Sequence, residues 1–302
     1  MTTPGMPGTR TAQLLADLEI ALDWMVALGV AVDADRLRAY RTIAHKWDEF
    51  AAGRGKLGIA ELAPILATFG YEVPALIAVY RAFHALPREA LANLIPQLSQ
   101  AVGRPIRIDN DRNLASDPAR DILFKLLTGA YVHRIESESR TSPGPGPHSS
   151  FIHARRHIYV ECKRLGEVGG IGAGLNEAAG YLVDTFNMRP GTGKRGLIAL
   201  DASKFTKPPG HVLQAAQGGD IEVAADGLLL TFIDIHGRAI QDALRAMDRR
   251  IIGVMLFSST VGIVDAGQSF INLGRWSMLQ RQHINISDIE FLGQFAQLSP
   301  AA

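Results

Sequence analysis

Apolar residues recur along the first hundred positions at a helical period. Leu14, Leu18, Leu22, Met25 and Val26 share one face, and Gly29 supplies a stop. Asp33 can cap a second helix whose Leu37, Tyr40, Ile43, Trp47 and Phe50 form one apolar stripe ending near Gly53. A third run reaches Gly70, and Pro74, tolerated in a first helical turn, opens a stretch to Leu86. Glu89 to Val102 is helical again, with a kink expected at Pro96. The pattern predicts an all-α N-terminal region over residues 1–110.

Between Gly103 and Ala119 the period breaks into Arg-Pro-Ile-Arg-Ile-Asp-Asn-Asp and then Ser-Asp-Pro, which are turn and cap residues. A boundary placed there leaves residues 111–302 as a second unit. Asp117 and Pro118 start a helix that carries Ile122, Leu123, Leu126, Leu127, Ala130 and Tyr131 and ends near Ile135. Ser137 to Ser150, with its Ser-Pro-Gly-Pro-Gly-Pro, is expected to be a mobile loop. The period then changes to two. Ile158, Val160 and Cys162 alternate with His157, Tyr159, Glu161 and Lys163, so a strand here aims Glu161 and Lys163 the same way. A glycine-rich turn, a helix from Leu175 to Phe186 and a strand from Leu197 to Leu200 follow. Gly227 to Met247 is helical in pattern, and Ile251 to Phe257 and Phe270 to Met278 are strands. This alternation predicts an α/β sheet with helices on it.

With 302 residues, 47% of them hydrophobic, the chain can bury a sizeable core in one or two domains. A formal net charge of +1 excludes a chain-wide polycation, so nucleic-acid contacts would need a local basic patch. Cys162 is the single cysteine, which excludes an internal disulfide and any cysteine-cluster metal site and fits a reducing cytoplasm. Met1 to Thr11 lacks a basic segment followed by an apolar one, and Asp17, Glu19 and Asp23 interrupt the first apolar stretch. Neither an export signal nor a membrane span is expected.

Glu161 and Lys163 carry the chemistry of most interest. A carboxylate and an ammonium spaced by two on a strand can enter one cavity, the first as a hard oxygen ligand for a divalent cation. The second can orient or help deprotonate an attacking water and stabilise charge on phosphate. One (Asp/Glu)-x-Lys tripeptide is expected by chance in about this length of chain. Here the only one falls on the best alternating strand and is followed by Arg164.

The wording around it is more specific. Tyr159-Val160-Glu161-Cys162-Lys163-Arg164-Leu165 resembles the third motif of the PD-(D/E)xK nuclease superfamily. Arg120-Asp121-Ile122-Leu123-Phe124-Lys125-Leu126 is similar to the Arg-Asn-x-x-Phe-Glu-Leu pattern that opens the first core helix of bacterial members. The run from Gly196 to Ser203 resembles the next core strand. The resemblance spans about residues 112–280 and implies a divergent member with a restriction-endonuclease-like central mixed sheet flanked by helices. It further implies phosphodiester hydrolysis, with DNA as the expected target, using Mg²⁺ or Mn²⁺. Glu161 would bind metal and Lys163 would serve the nucleophile. The pattern's helix glutamate falls on Lys125, and its metal-binding aspartate falls near Ser149 or Ser150. Glu136, Glu138 and Asp121 are the carboxylates that could substitute. Arg155, Arg156 and Arg164, with His153 and His157, would make a basic edge for phosphate contacts. Glu177-x-x-x-Tyr181 is similar to the Gln-x-x-x-Tyr element of some exonuclease branches.

Read without the acidic partners, the same fold implies a catalytically degenerate module that binds nucleic acid or a protein partner, and homo-oligomerisation is compatible with either. A nucleotide-binding enzyme is a third reading. However, the glycines of Gly169 to Gly174 miss the dinucleotide spacing, and Gly191-Thr192-Gly193-Lys194 lacks the upstream glycine and the hydroxyl residue of a P-loop.

Overall fold

A computed structural model describes residues 11–106, 117–136, 149–153, 156–166, 170–188, 193–206, 211–264 and 269–297. Five helices come first: α1 (Thr11–Ala27), α2 (Arg36–Ala51), α3 (Ile59–Phe83), α4 (Arg88–Leu91) and α5 (Ile95–Val102). An alternating region follows, with α6 (Pro118–Glu136), β1 (Ser149–His153), β2 (Arg156–Arg164), α7 (Ile171–Met188), β3 (Lys194–Asp201) and β4 (Leu213–Ala215). It ends with α8 (Gly218–Ala246), β5 (Ile251–Val264), β6 (Ser269–Gln280) and α9 (Ile286–Gln297).

The strands form one mixed sheet. β1 and β2 are an antiparallel hairpin, β2 and β3 run parallel, and β3 runs parallel to β5. β5 is long enough to take two partners on one edge, β3 along its first half and the short β4 at Gly262 to Val264. β6 lies antiparallel on its other edge. A parallel centre needs long crossovers, and α7 and α8 supply them.

β5 is buried at every position, which is why Ile-Ile-Gly-Val-Met-Leu-Phe opens it as a continuous apolar run instead of an alternating one. On one face, Tyr159, Ile198, Val254 and Leu256 pack with Leu175 and Leu182 of α7 and Leu229 and Phe232 of α8. On the other face, Val160, Leu197, Met255 and Phe257 pack with Phe124 and Tyr131 of α6 and Phe291 of α9. The N-terminal helices join this body through the far half of β5. Val261 and Ile263, with Phe270 of β6, belong to the same core as Leu18, Trp47, Leu66 and Phe69. Gly70 lets α3 lie against the sheet, since a Cβ there would stand 2.7 Å from Val261 Cγ2.

Several elements differ from expectation. α3 is one unbroken helix with Pro64 and Pro74 inside it. Its buried Leu62, Leu66, Phe69, Val73 and Leu76 offset the backbone bonds the prolines cannot make. The run from Glu89 to Val102 divides into α4 and α5, and Pro96 occupies the first turn of α5 instead of kinking a longer helix. Gly172 and Gly174 belong to the first turn of α7, and α8 begins at Gly218, well before Gly227. β1, β4 and α9 were not anticipated. Ser149 and Ser150, expected to end a loop, open β1, while residues 137–148 lie outside the described residues. By length and composition α3 is apolar enough to cross a membrane, but most of it is buried inside the protein.

Two glycines separate packing from propensity. A Cβ at Gly262 would overlap the buried Ile221 side chain, whereas one at Gly227, exposed within α8, meets nothing within 4 Å. Gly262→Ala is expected to cost about 1–3 kcal/mol by overpacking and to lower Tm by about 2–4 °C per kcal/mol. Gly227→Ala should raise Tm through helix propensity, by up to about 1 kcal/mol. Thermal melts of the two variants check both signs.

Candidate functional site

β2 presents two different chemistries on its two faces. Strand alternation puts Tyr159, Glu161 and Lys163 on the side of α7 and α8, and Ile158, Val160 and Cys162 on the side of α6 and α9. Glu161 is 5% exposed. Lys163 lies nearer the surface, and its Nζ donates to Glu177 Oε2 of α7 at 2.5 Å, with the two side chains 32% and 50% exposed. Gly174 sits one turn before Glu177, and a Cβ there would be 3.6 Å from Lys163 Cγ, so the glycine allows the helix to approach the lysine. Tyr181, four residues after Glu177 and thus on the same helix face, is exposed. Glu161 and Lys163 share a face as the spacing predicts, and Glu177 is the added member.

The opposite face at the same strand end carries a buried ion network. Arg164 Nε donates to Asp201 Oδ2 at 3.0 Å and Arg164 Nη1 to Asp121 Oδ1 at 3.3 Å. Tyr71 of α3 donates its hydroxyl to Asp201 Oδ2 at 2.9 Å, and Arg164 lies over the Tyr71 ring. Asp201 Oδ1 accepts from the Ser203 N–H and hydroxyl, and Ser203 Oγ accepts the N–H of Ser259 on β5. Burial alone would lower the pKa of Arg164, but Tyr71, Asp201 and Asp121 reverse this and hold the guanidinium charged. Burial, then the Asp201 charge, pushes the Tyr71 phenol well above its ordinary value, so it stays a neutral donor. Cys162 on this face is buried, and burial pushes its thiol up to about 12, which leaves it unreactive.

The other anticipated residues are distributed as follows. Arg156 pairs with Asp288 of α9 at 2.9 Å and donates to the Ser287 carbonyl, and Arg195 grips the same Asp288. Arg164 is 10% exposed by side chain and balanced by two carboxylates. Both guanidiniums are thus engaged within the chain, Arg156 by Asp288 and Arg164 by Asp121 and Asp201. Arg155 and Glu138 lie outside the described residues, as does the side chain of Glu136. Asp121 reaches the α6 face of β2 through Arg164, opposite to Glu161. Arg120, first residue of the helix motif, is buried and pairs with Glu72 of α3 at 3.1 Å. Glu72 also receives Arg36 at 3.2 Å and the Tyr40 hydroxyl. This second network fastens α2, α3 and α6 together.

Of the expected ligand set, Glu161 and Asp121 therefore lie on opposite faces of β2, and Glu138 lies outside the described residues. Within them no group of three or more His, Cys, Asp or Glu side chains is arranged to hold a metal ion. Comparison with protein-family models, curated proteins and solved structures finds no match.

The Asp201 network is expected to be structural. Asp201→Ala leaves Arg164 buried with one carboxylate fewer and should cost about 3–5 kcal/mol. Tyr71→Phe removes one hydrogen bond and should cost about 1 kcal/mol. Urea denaturation of both variants tests the ranking, and a loss in Tyr71→Phe as large as that in Asp201→Ala would overturn it.

Proposed function

We propose that the protein is a metal-dependent, nuclease-like hydrolase of phosphodiester bonds in DNA, with Glu161 and Lys163 as the working pair. The observation that carries this reading is the shared face of β2, on which Glu161 is buried and the partly exposed Lys163 ammonium pairs with Glu177 of α7. The order of α6, the β1–β2 hairpin, the α7 crossover and parallel β3 supports a restriction-endonuclease-like core.

Mg²⁺ in phosphate chemistry is commonly held by one or two carboxylates together with phosphate oxygens and water. Glu161 and Glu177 are the residues of this face that would hold it. A bound cation would supply Lewis-acid charge to a phosphate oxygen. Lys163, as an ammonium, is suited to stabilise the negative charge that develops on the reacting phosphate. Its present partner Glu177 is also an anionic oxygen, so substrate phosphate competes with Glu177 for the same donor. The buried setting of Glu161 strengthens its electrostatic interactions relative to water.

A second reading, a nuclease-fold module that binds without cleaving, draws support from the commitment of Asp121 to Arg164, which keeps that carboxylate from a metal ion. Incubating purified protein with linear DNA in Mg²⁺ or Mn²⁺ separates the two. The hydrolase reading expects metal-dependent cleavage that falls by about 10²–10³ in Lys163→Ala while the melting curve is unchanged. DNA binding that weakens steeply with salt, with no cleavage in either metal, would establish the module instead.

A further inference from the structure

β6 forms one border of the sheet. It pairs with β5 from Gly253 opposite Gln280 to Val264 opposite Ser269 without a register shift. In an antiparallel pair every second residue turns its N–H and C=O away from the partner. Among the described residues, the β6 backbone has one hydrogen bond from outside β5, donated by Gln241 Nε2 to the carbonyl of its last residue, Gln280. Among the described residues, nothing else bonds to the outer edge, which is a row of donors and acceptors suited to another strand. Most residues from Ile271 to Leu279 are half-buried, whereas β5 beside them is buried throughout.

Natural edge strands are protected by shortness, proline, lysine or a bulge. β6 runs for 12 residues, Ser-Phe-Ile-Asn-Leu-Gly-Arg-Trp-Ser-Met-Leu-Gln, and contains neither proline nor lysine. Its one charge, Arg275, is neutralised within the chain by Asp226 at 2.7 Å and Glu222 at 3.5 Å, both on α8. Asp226 therefore marks the flank of α8 that borders this edge. Val223 and Leu230 lie three residues before and four after it, on the same helix face, and are 73% and 59% exposed. An unprotected strand edge and an unpaired apolar stripe on the helix above it thus coincide.

We propose that β6 pairs antiparallel with β6 of a second copy of this chain, continuing the sheet across a two-fold axis. Val223 and Leu230 of the two α8 helices close over the seam. A second copy satisfies both features at once, because two-fold symmetry presents each edge with the same edge and each apolar stripe with the same stripe. A foreign strand would complete the edge without covering α8. Charge does not oppose the association, since the chain carries a formal net charge of +1 and Arg275 is already balanced.

Sedimentation equilibrium over a range of concentrations tests this together with amide hydrogen exchange. The wild type should approach twice the 32.6 kDa chain mass, with slow exchange along β6. Val223→Lys combined with Leu230→Lys, at two exposed positions, should shift the mass to that of one chain and speed β6 exchange while leaving the far-UV circular dichroism spectrum unchanged. A single-chain mass for the wild type at every concentration would overturn the proposal. So would a double variant that stays dimeric with β6 exchange unaltered, since the interface would then lie elsewhere.

Discussion

The burial of β5 organises this protein. A strand with every position sheltered must be covered on both faces and bordered on both edges, and each neighbour meets one of those requirements. β3 and β4 share one edge and β6 takes the other. Val254 and Leu256 face α7 and α8, Met255 and Phe257 face α6 and α9, and Val261 and Ile263 receive α3. The N-terminal helices are consequently part of the same packed body, because the far half of β5 extends beyond the reach of β3 and would otherwise expose its apolar side chains. Burial of this kind contributes roughly 25 cal/mol per Å² of apolar surface, which makes it the dominant favourable term available to the fold.

Several polar groups enter that interior with bonded partners. Ser258, Ser259 and Thr260 interrupt the apolar run of β5 and are buried. Ser258 meets Thr206, and Ser259 bonds both Ser203 and Asn272. Arg164 and Asp201 stand next to them at the ends of β2 and β3, tied to α3 by Tyr71 and to α6 by Asp121. Buried ions of this sort add little net stability over apolar packing, but removal of one partner is costly, so they fix how the helices sit on the sheet. Glu72 does the same for α2, α3 and α6 with Arg36 and Arg120.

Adjacent residues of β2 are thereby assigned opposite work. Lys163 and Arg164 follow one another in a basic pair, yet the alternation of the strand turns one toward the surface beside α7 and the other into the ion network under α6. The chemical potential of the site rests on the α7 side, where the small Gly174 admits the lysine and brings Glu177 to it. The opposite side holds the scaffold rigid beneath it. A sheet whose faces are divided in this way can carry an exposed reactive surface without loosening the core that positions it.

Periodicity alone determined most of the secondary structure: the amphipathic stripes of α1, α2 and α6, the alternation of β2 and the apolar run of β5 are local properties of the chain. The common face of Glu161 and Lys163 follows from a period of two and needs no tertiary information. Local signals failed where burial overrode them. Two prolines did not break α3, because its apolar surface is anchored in the core, and the glycines expected to form a turn began α7. The partners of each charge were decided only by the tertiary structure. Glu177 lies 14 residues from Lys163, Asp201 lies 37 from Arg164, and Asp288 lies 132 from the Arg156 it pairs with. Sequence can place a carboxylate or a guanidinium on a face. Whether that charge is free for a ligand or already neutralised depends on which distant element folds against it.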